Sequence, residues 1–346
     1  MFVLRLRTTL TGLALAALAA LAACTTPPPA PPPPPPIPPT PPAISLSTAV
    51  IQDAAVFQNY MSKAAGVSPA FKSSTDVSLA LSQSGAMSPE QLLRGEIAYA
   101  AIAALQDPNF VANVRAFAAD QRSRQQMTAQ ILNYPGYAVA FGGSNTAAGL
   151  SMAAIEPEGR KLFDAGAAVK QAAYDVQHQD WSKVSVTDRP QRLAAAKNAS
   201  MVSAVASLDQ IASLRSAAMG QSPMPLHGPD TGPPYPPVIV RGLAIAALAA
   251  LGEGGDDNLI SIAPLMSDLP TATCLHTAKL NLYQCLAVAR PNYEDIFCLG
   301  QHALMDTGQC VMIAAGAPAP VVATLPPVQP TTAPTHAKPV RRRRPG

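Results

Sequence analysis

Apolar residues recur along this chain at intervals of three and four, the period of a helix with one face turned inward, and no long alternating run marks a strand. Val50, Ala54, Phe57 and Met61 form the first such stripe. Ser88-Pro89-Glu90-Gln91 reads as a helix start, with serine as cap, proline in the first turn and glutamine completing a capping box. Leu93, Ile97, Ala100 and Ala104 follow on one face. Asp107-Pro108 closes that helix and opens another, which carries Phe110, Val114 and Phe117 early and Met127 and Ile131 late until Tyr134-Pro135-Gly136 ends it. Leu162, Gly166, Val169, Ala173 and Val176 mark a further helix. Asp188 or Thr187 is expected to cap a long one bearing Leu193, Val202, Val205, Leu208 and Ile211, closing at Gly220. Val238 to Leu251 is strongly apolar but short and contains Arg241, which fits a buried helix better than a membrane span. The pattern predicts an all-α fold: a helical bundle with a C-terminal disulfide-stapled helical hairpin, flanked by disordered Pro-rich segments.

Composition sets the limits of that fold. Of 37 prolines in 346 residues, 13 lie between Pro27 and Pro42 and 8 between Pro318 and Pro345, so helix and sheet are confined to about residues 43–316. Within that span we expect an all-α domain over 43–219, a Pro/Gly-rich loop over 220–237 and a helical region over 238–316 holding four cysteines, followed by the tail 317–346. Aromatic residues make up only 5% of the chain, so the core has to rest on Ala, Leu, Val, Ile and Met. Charge follows the same division. The 17 basic and 21 acidic residues of 43–316 give −4, whereas the tail carries +5, which argues against a nucleic-acid-binding domain.

Arg5 and Arg7 precede an uncharged apolar run from Leu10 to Ala23, the layout of a secretory signal, too short to span a bilayer as a mature helix. The run ends Leu21-Ala22-Ala23-Cys24, which resembles the lipobox of bacterial lipoproteins. The resemblance covers about the first 24 residues. It implies removal of residues 1–23, diacylation of the Cys24 thiol (palmitate and like chains) and anchoring in membrane lipid. Thr25 in place of Asp implies, by analogy with enterobacterial lipoproteins, an outer-membrane site facing the periplasm. Residues 24–42 then form the lipid anchor and a polyproline linker, in which sixteen residues at ~3.1 Å each reach roughly 50 Å.

The other four cysteines, Cys274, Cys285, Cys298 and Cys310, are an even set in an oxidising compartment and favour disulfides. On a helix through 274–290, Cys274 and Cys285 share a face about 16 Å apart and cannot bond each other. Arg290-Pro291-Asn292 offers a break, and an antiparallel return allows nested bonds Cys274–Cys310 and Cys285–Cys298. The plan resembles the twin-cysteine helical hairpins in construction, with wider spacings. Gly300 and Gly308 are expected to interrupt the second arm, and twelve residues turn about 120° past whole turns, so a regular helix would misplace Cys310. Zinc held with His276 and His302 is the alternative, at spacings unlike those of familiar fingers.

No serine elbow, Walker loop, zincin helix or dinucleotide fingerprint is present, so no catalytic, metal or cofactor residue is assigned. Gly142-Gly143-Ser144-Asn145-Thr146 misses the serine elbow at Thr146 and is expected to cap the next helix through Ser144 or Asn145. His178, Asp180 and Trp181 form the most site-like polar cluster, with a solvated helix end as the preferred reading. Glu96, on a largely apolar helix, could be a buried acid and His178 a base for the hydrolase alternative, but an exposed side or a salt bridge is the preferred expectation for Glu96. Glu253, Asp256, Asp257 and Asn258 could hold calcium, with an acidic turn as the preferred reading. In the tail, Lys338, Arg341, Arg342, Arg343 and Arg344 suit anionic surfaces such as lipopolysaccharide phosphates or peptidoglycan carboxylates. The expectation is a lipid-anchored, non-enzymatic envelope protein that binds a periplasmic partner protein or the cell wall. A peptidoglycan hydrolase and a carrier of an apolar ligand are the alternatives, and nucleic acid is not expected.

Overall fold

A computed structural model describes residues 40–319 apart from Met87. The lipobox with Cys24, the polyproline run up to residue 39 and the basic cluster Lys338 and Arg341–Arg344 lie outside the described residues. The fold is all-α, as the pattern predicts, and the described residues contain no strand beyond two isolated bridges, Leu46–Gly254 and Ser185–Pro291.

Helices that are apolar nearly all round must be buried on every side, and two of them make the centre. Thirteen of sixteen residues are buried in Pro89–Ala104, and twelve of fifteen in Pro237–Leu251. The chain-order labels are α1 (Thr48–Ala65), α2 (Ser74–Ser84), α3 (Pro89–Ala104), α4 (Pro108–Arg115), α5 (Gln121–Asn133), α6 (Ser144–Val176), α7 (Asp180–Lys183), α8 (Arg189–Ala199), α9 (Leu208–Ala218), α10 (Pro237–Leu251), α11 (Leu259–Ile262), α12 (Leu269–Val288), α13 (Asn292–Cys298) and α14 (Asp306–Ala314). α3 packs against α1, α10 and α6. Small residues set the spacing: a Cβ added at Gly242 of α10 would lie 2.7 Å from the Ala100 Cβ of α3. α10, from the far side of the proline-rich loop, thus shares a core with helices of the first two hundred residues.

Five expectations about helix limits and caps are corrected. The helix opened by Asp107-Pro108 is two: α4 ends at Arg115, and Asp120 caps α5 by accepting from the Ser123 amide, leaving Phe117 half-exposed. The long helix to Gly220 is also two. α8 stops at Ala199, and Ser207 and Gln210 build the capping box that starts α9. Between them the chain is drawn out because the Gln91 amide both donates to the Ala204 carbonyl (2.9 Å) and accepts from the Ala204 amide (3.0 Å). Gln91 therefore does not close the box expected at Ser88, whose hydroxyl still accepts from the Gln91 amide N–H. Met201, Val202 and Val205 are left exposed on that stretch, and Leu208 at the start of α9. Asp188 stands before α8 in a left-handed conformation with no side-chain cap bond. Likewise Gly143, at φ +85°, is the residue before α6, and the Ser144 hydroxyl turns back to the Val139 carbonyl instead of capping.

Candidate functional site

α12 carries Cys274 and Cys285 on one face, and the second arm returns antiparallel as α13, a π-helical segment Leu299–Met305, and α14. Both nested disulfides form: Cys274–Cys310 with Cα atoms 5.7 Å apart and Cys285–Cys298 at 5.6 Å. All four thiols are consumed, so the zinc alternative is gone. His276 pairs with Glu90 instead, and His302 with Asp306.

The π segment removes the misplacement that a regular helix would impose. Each π residue turns by about 18° less than an α residue, so seven take back about 126°, near the 120° excess between Cys298 and Cys310. Gly300 and Gly308 do not interrupt the arm. They bring it against α6, where a Cβ added at Gly166 would lie 2.8 Å from the Gly300 carbonyl and one added at Gly159 would lie 2.9 Å from the Gly308 carbonyl. Only glycine permits backbones this close.

The hairpin tip is clamped from outside. The Arg189 guanidinium donates to the Ala287 and Ala289 carbonyls, each at 2.8 Å, filling acceptors left open where α12 ends. Arg192 reaches the Leu286 carbonyl and both Asp295 oxygens, the latter at 2.5 and 2.6 Å, in a largely buried pair. Burial nevertheless outweighs the guanidinium and pushes the Asp295 carboxyl up to about 6.

Under this tip lies a groove of about 480 Å³, within the size range of ligand sites. Cys285 and Cys298 contribute to its lining, Tyr174 and Gln177 come from the end of α6, Val288 and Ala289 from the end of α12, and Tyr293, Glu294 and Phe297 from α13. Tyr174 and Phe297 meet edge to face at 6.2 Å, with the Lys170 ammonium 5.4 Å from the Phe297 ring centre. Tyr174 is 46% exposed and Val288 73%, so the groove presents an apolar, aromatic surface to solvent.

A second polar cluster sits farther down the hairpin. Tyr60, Ser84, Ser88, Lys279, His302 and Thr307 surround room for about one water (about 20 Å³). His302 Nδ1 is 2.7 Å from Asp306 Oδ2. Burial pushes the Asp306 carboxyl up, but bonds from His302, Gln301 and Asn281 outweigh it and hold the group below the usual range. Burial brings the Lys279 amine down to about 8, and its Nζ donates to the Gly85 carbonyl at 2.6 Å. Tyr60 and Ser84 likewise donate to backbone carbonyls, at Ser84 and Ala80, so the space between these groups takes about one water.

The weaker sequence candidates are accounted for. Glu96 is fully buried rather than exposed or paired, and neither carboxyl oxygen has a hydrogen-bond partner. Burial, and secondarily the Asp268 charge, raises its pKa well above the ordinary value. His178 and Asp180 are both exposed, and the Trp181 indole donates to Gln179. The acidic turn serves the fold: Asp256 accepts from Ser47 and Thr48 at the start of α1, and Glu253 accepts from Arg124 and Asn258. No cluster with metal-ligand geometry occurs among the described residues.

The groove itself escapes sequence reading because Tyr174 is more than one hundred residues from Phe297. The one local signal is Tyr293 and Phe297, one helical turn apart beside Cys298 in a chain poor in aromatics. No family model, curated protein or solved structure matches this chain.

Proposed function

We propose that this chain is a lipid-anchored, non-enzymatic protein of the cell envelope that binds a periplasmic partner protein or the cell wall. The observation that carries the reading is the solvent-facing aromatic groove on a hairpin held shut by two disulfides, a surface with binding character on a rigid support. The lipobox resemblance at Cys24 supports the anchor and the location. Two disulfides support an oxidising compartment. Lys338 and Arg341–Arg344 supply electrostatic contact with an anionic surface, and such contact weakens with salt.

The test is co-sedimentation of residues 43–346 with purified sacculi at low and high salt, beside a chain ending at His336. Binding that is salt-sensitive and lost with the tail is expected for an electrostatic wall tether. Binding retained without the tail assigns the wall contact to the folded domain. If neither chain sediments, and crosslinking in intact cells captures no envelope protein, the reading is wrong.

A further inference from the structure

We propose that the groove under the hairpin tip is the docking site for a proline-rich segment in polyproline II form, and that its occupant is this chain's own C-terminal stretch Pro327-Val328-Gln329-Pro330. The inference rests on the reading of the groove as a binding surface and names what fills it. Polyproline II segments carry no internal hydrogen bonds, leave every carbonyl free, and dock into aromatic-lined grooves. The groove has the required parts: the rings of Tyr174, Tyr293 and Phe297 for the proline faces, and Gln177 with the tyrosine hydroxyls as donors to the free carbonyls.

Reach admits the tail segment. The described chain ends at Ala319, just beyond α14, and from there the groove lies back along α14 and the π segment to Phe297. Seventeen residues separate Phe297 from Ala314, about 25 Å of helix. Eight to eleven residues separate Ala319 from Pro327–Pro330, about 25–34 Å at polyproline rise. Counted from Ala314, Pro327–Pro330 lie thirteen to sixteen residues on, about 40–50 Å at that rise, so the Pro-x-x-Pro stretch reaches the groove with chain to spare. Seated there, it holds Lys338 and Arg341–Arg344 beside the hairpin tip. Attachment in one chain supplies an effective concentration in the millimolar range, so even weak contacts fill the groove.

The experiment uses the mature chain with Val328→p-benzoylphenylalanine, irradiated at low protein concentration and mapped by mass spectrometry. Expected are intrachain links to residues 173–177 or 293–297, with the yield falling by at least about tenfold in the presence of Pro327→Gly/Pro330→Gly. Tyr174→Ala should give the same loss with an unchanged melting temperature. The glycine pair leaves the described fold untouched, so it decides the matter even if Tyr174→Ala disturbs packing. Links elsewhere on the surface, links between two chains, or a yield indifferent to the glycines overturn the proposal. Sacculus binding is not read in this experiment, so failure of the wall-or-partner reading and failure of tail docking are separate results.

Discussion

Glu96 sits on the most buried helix among the described residues with no donor to either oxygen, and the charge that acts on it is the carboxylate of Asp268, which caps α12 through the Thr271 amide. A carboxyl so placed folds with its proton on. Its folded pKa is above its unfolded value, so the native state holds more protons than the unfolded chain, and stability falls as pH rises from about 4.5 toward the folded pKa. Asp295, raised to about 6, adds a loss of the same sign over about pH 4 to 6. Glu96→Leu should therefore flatten the dependence of unfolding free energy on pH by up to about 1.4 kcal/mol per pH unit, measured by urea titration at pH 5 and 7.5. A slope equal to wild type would mean that Glu96 is ionised in the native state. One residue type explains why the sequence misled here. Glutamate on an apolar stripe reads as the exposed edge of a helix, and nothing local reveals that α10, α1 and α6 close round α3 on every side.

At the scale of elements, the hairpin is held by covalent closure and by a backbone crossing. The Cys285–Cys298 loop spans thirteen residues, and removing such a crosslink by Cys285→Ala/Cys298→Ala should cost about 3 kcal/mol in chemical denaturation. A change well under 1 kcal/mol would show that the Arg189 and Arg192 clamps alone hold the tip. The two-armed hairpin and its pairing are legible in the spacing of the cysteines, because a helix fixes which of them can meet. The relief of the twelve-residue mismatch is not legible. It depends on a change of helical winding over Leu299–Met305, in an arm whose Gly300 and Gly308 meet Gly166 and Gly159 of α6, more than 130 residues earlier. The same holds for the break between α8 and α9, where apolar periodicity continues through Val202 and Val205 but the side chain of Gln91 draws the backbone out of helix. Stripes and caps are local and can be read; tertiary hydrogen bonds and close crossings are not local and cannot.

Across the whole molecule, one core runs from α1 to α14, and the proline-rich loop between α9 and α10 is a surface connection rather than a division of that core. Of the candidate site, the disulfide scaffold is readable and the groove it supports is not, since its walls come from α6 and from the hairpin. The nested disulfides also have a mechanical consequence for a chain tethered, as proposed, at Cys24 and pulled at its far end. The thirty-six residues of sequence that separate Cys274 from Cys310 are locked out of the extensible length, so the oxidised protein stretches roughly 120 Å less than the reduced one once its helices give way. The hairpin is thus a stop: load passes across the sulfur–sulfur bond instead of through the tip, and the hairpin's own side of the groove, with Tyr293 and Phe297, stays out of the load path even after α6 and the rest of the bundle have been drawn out.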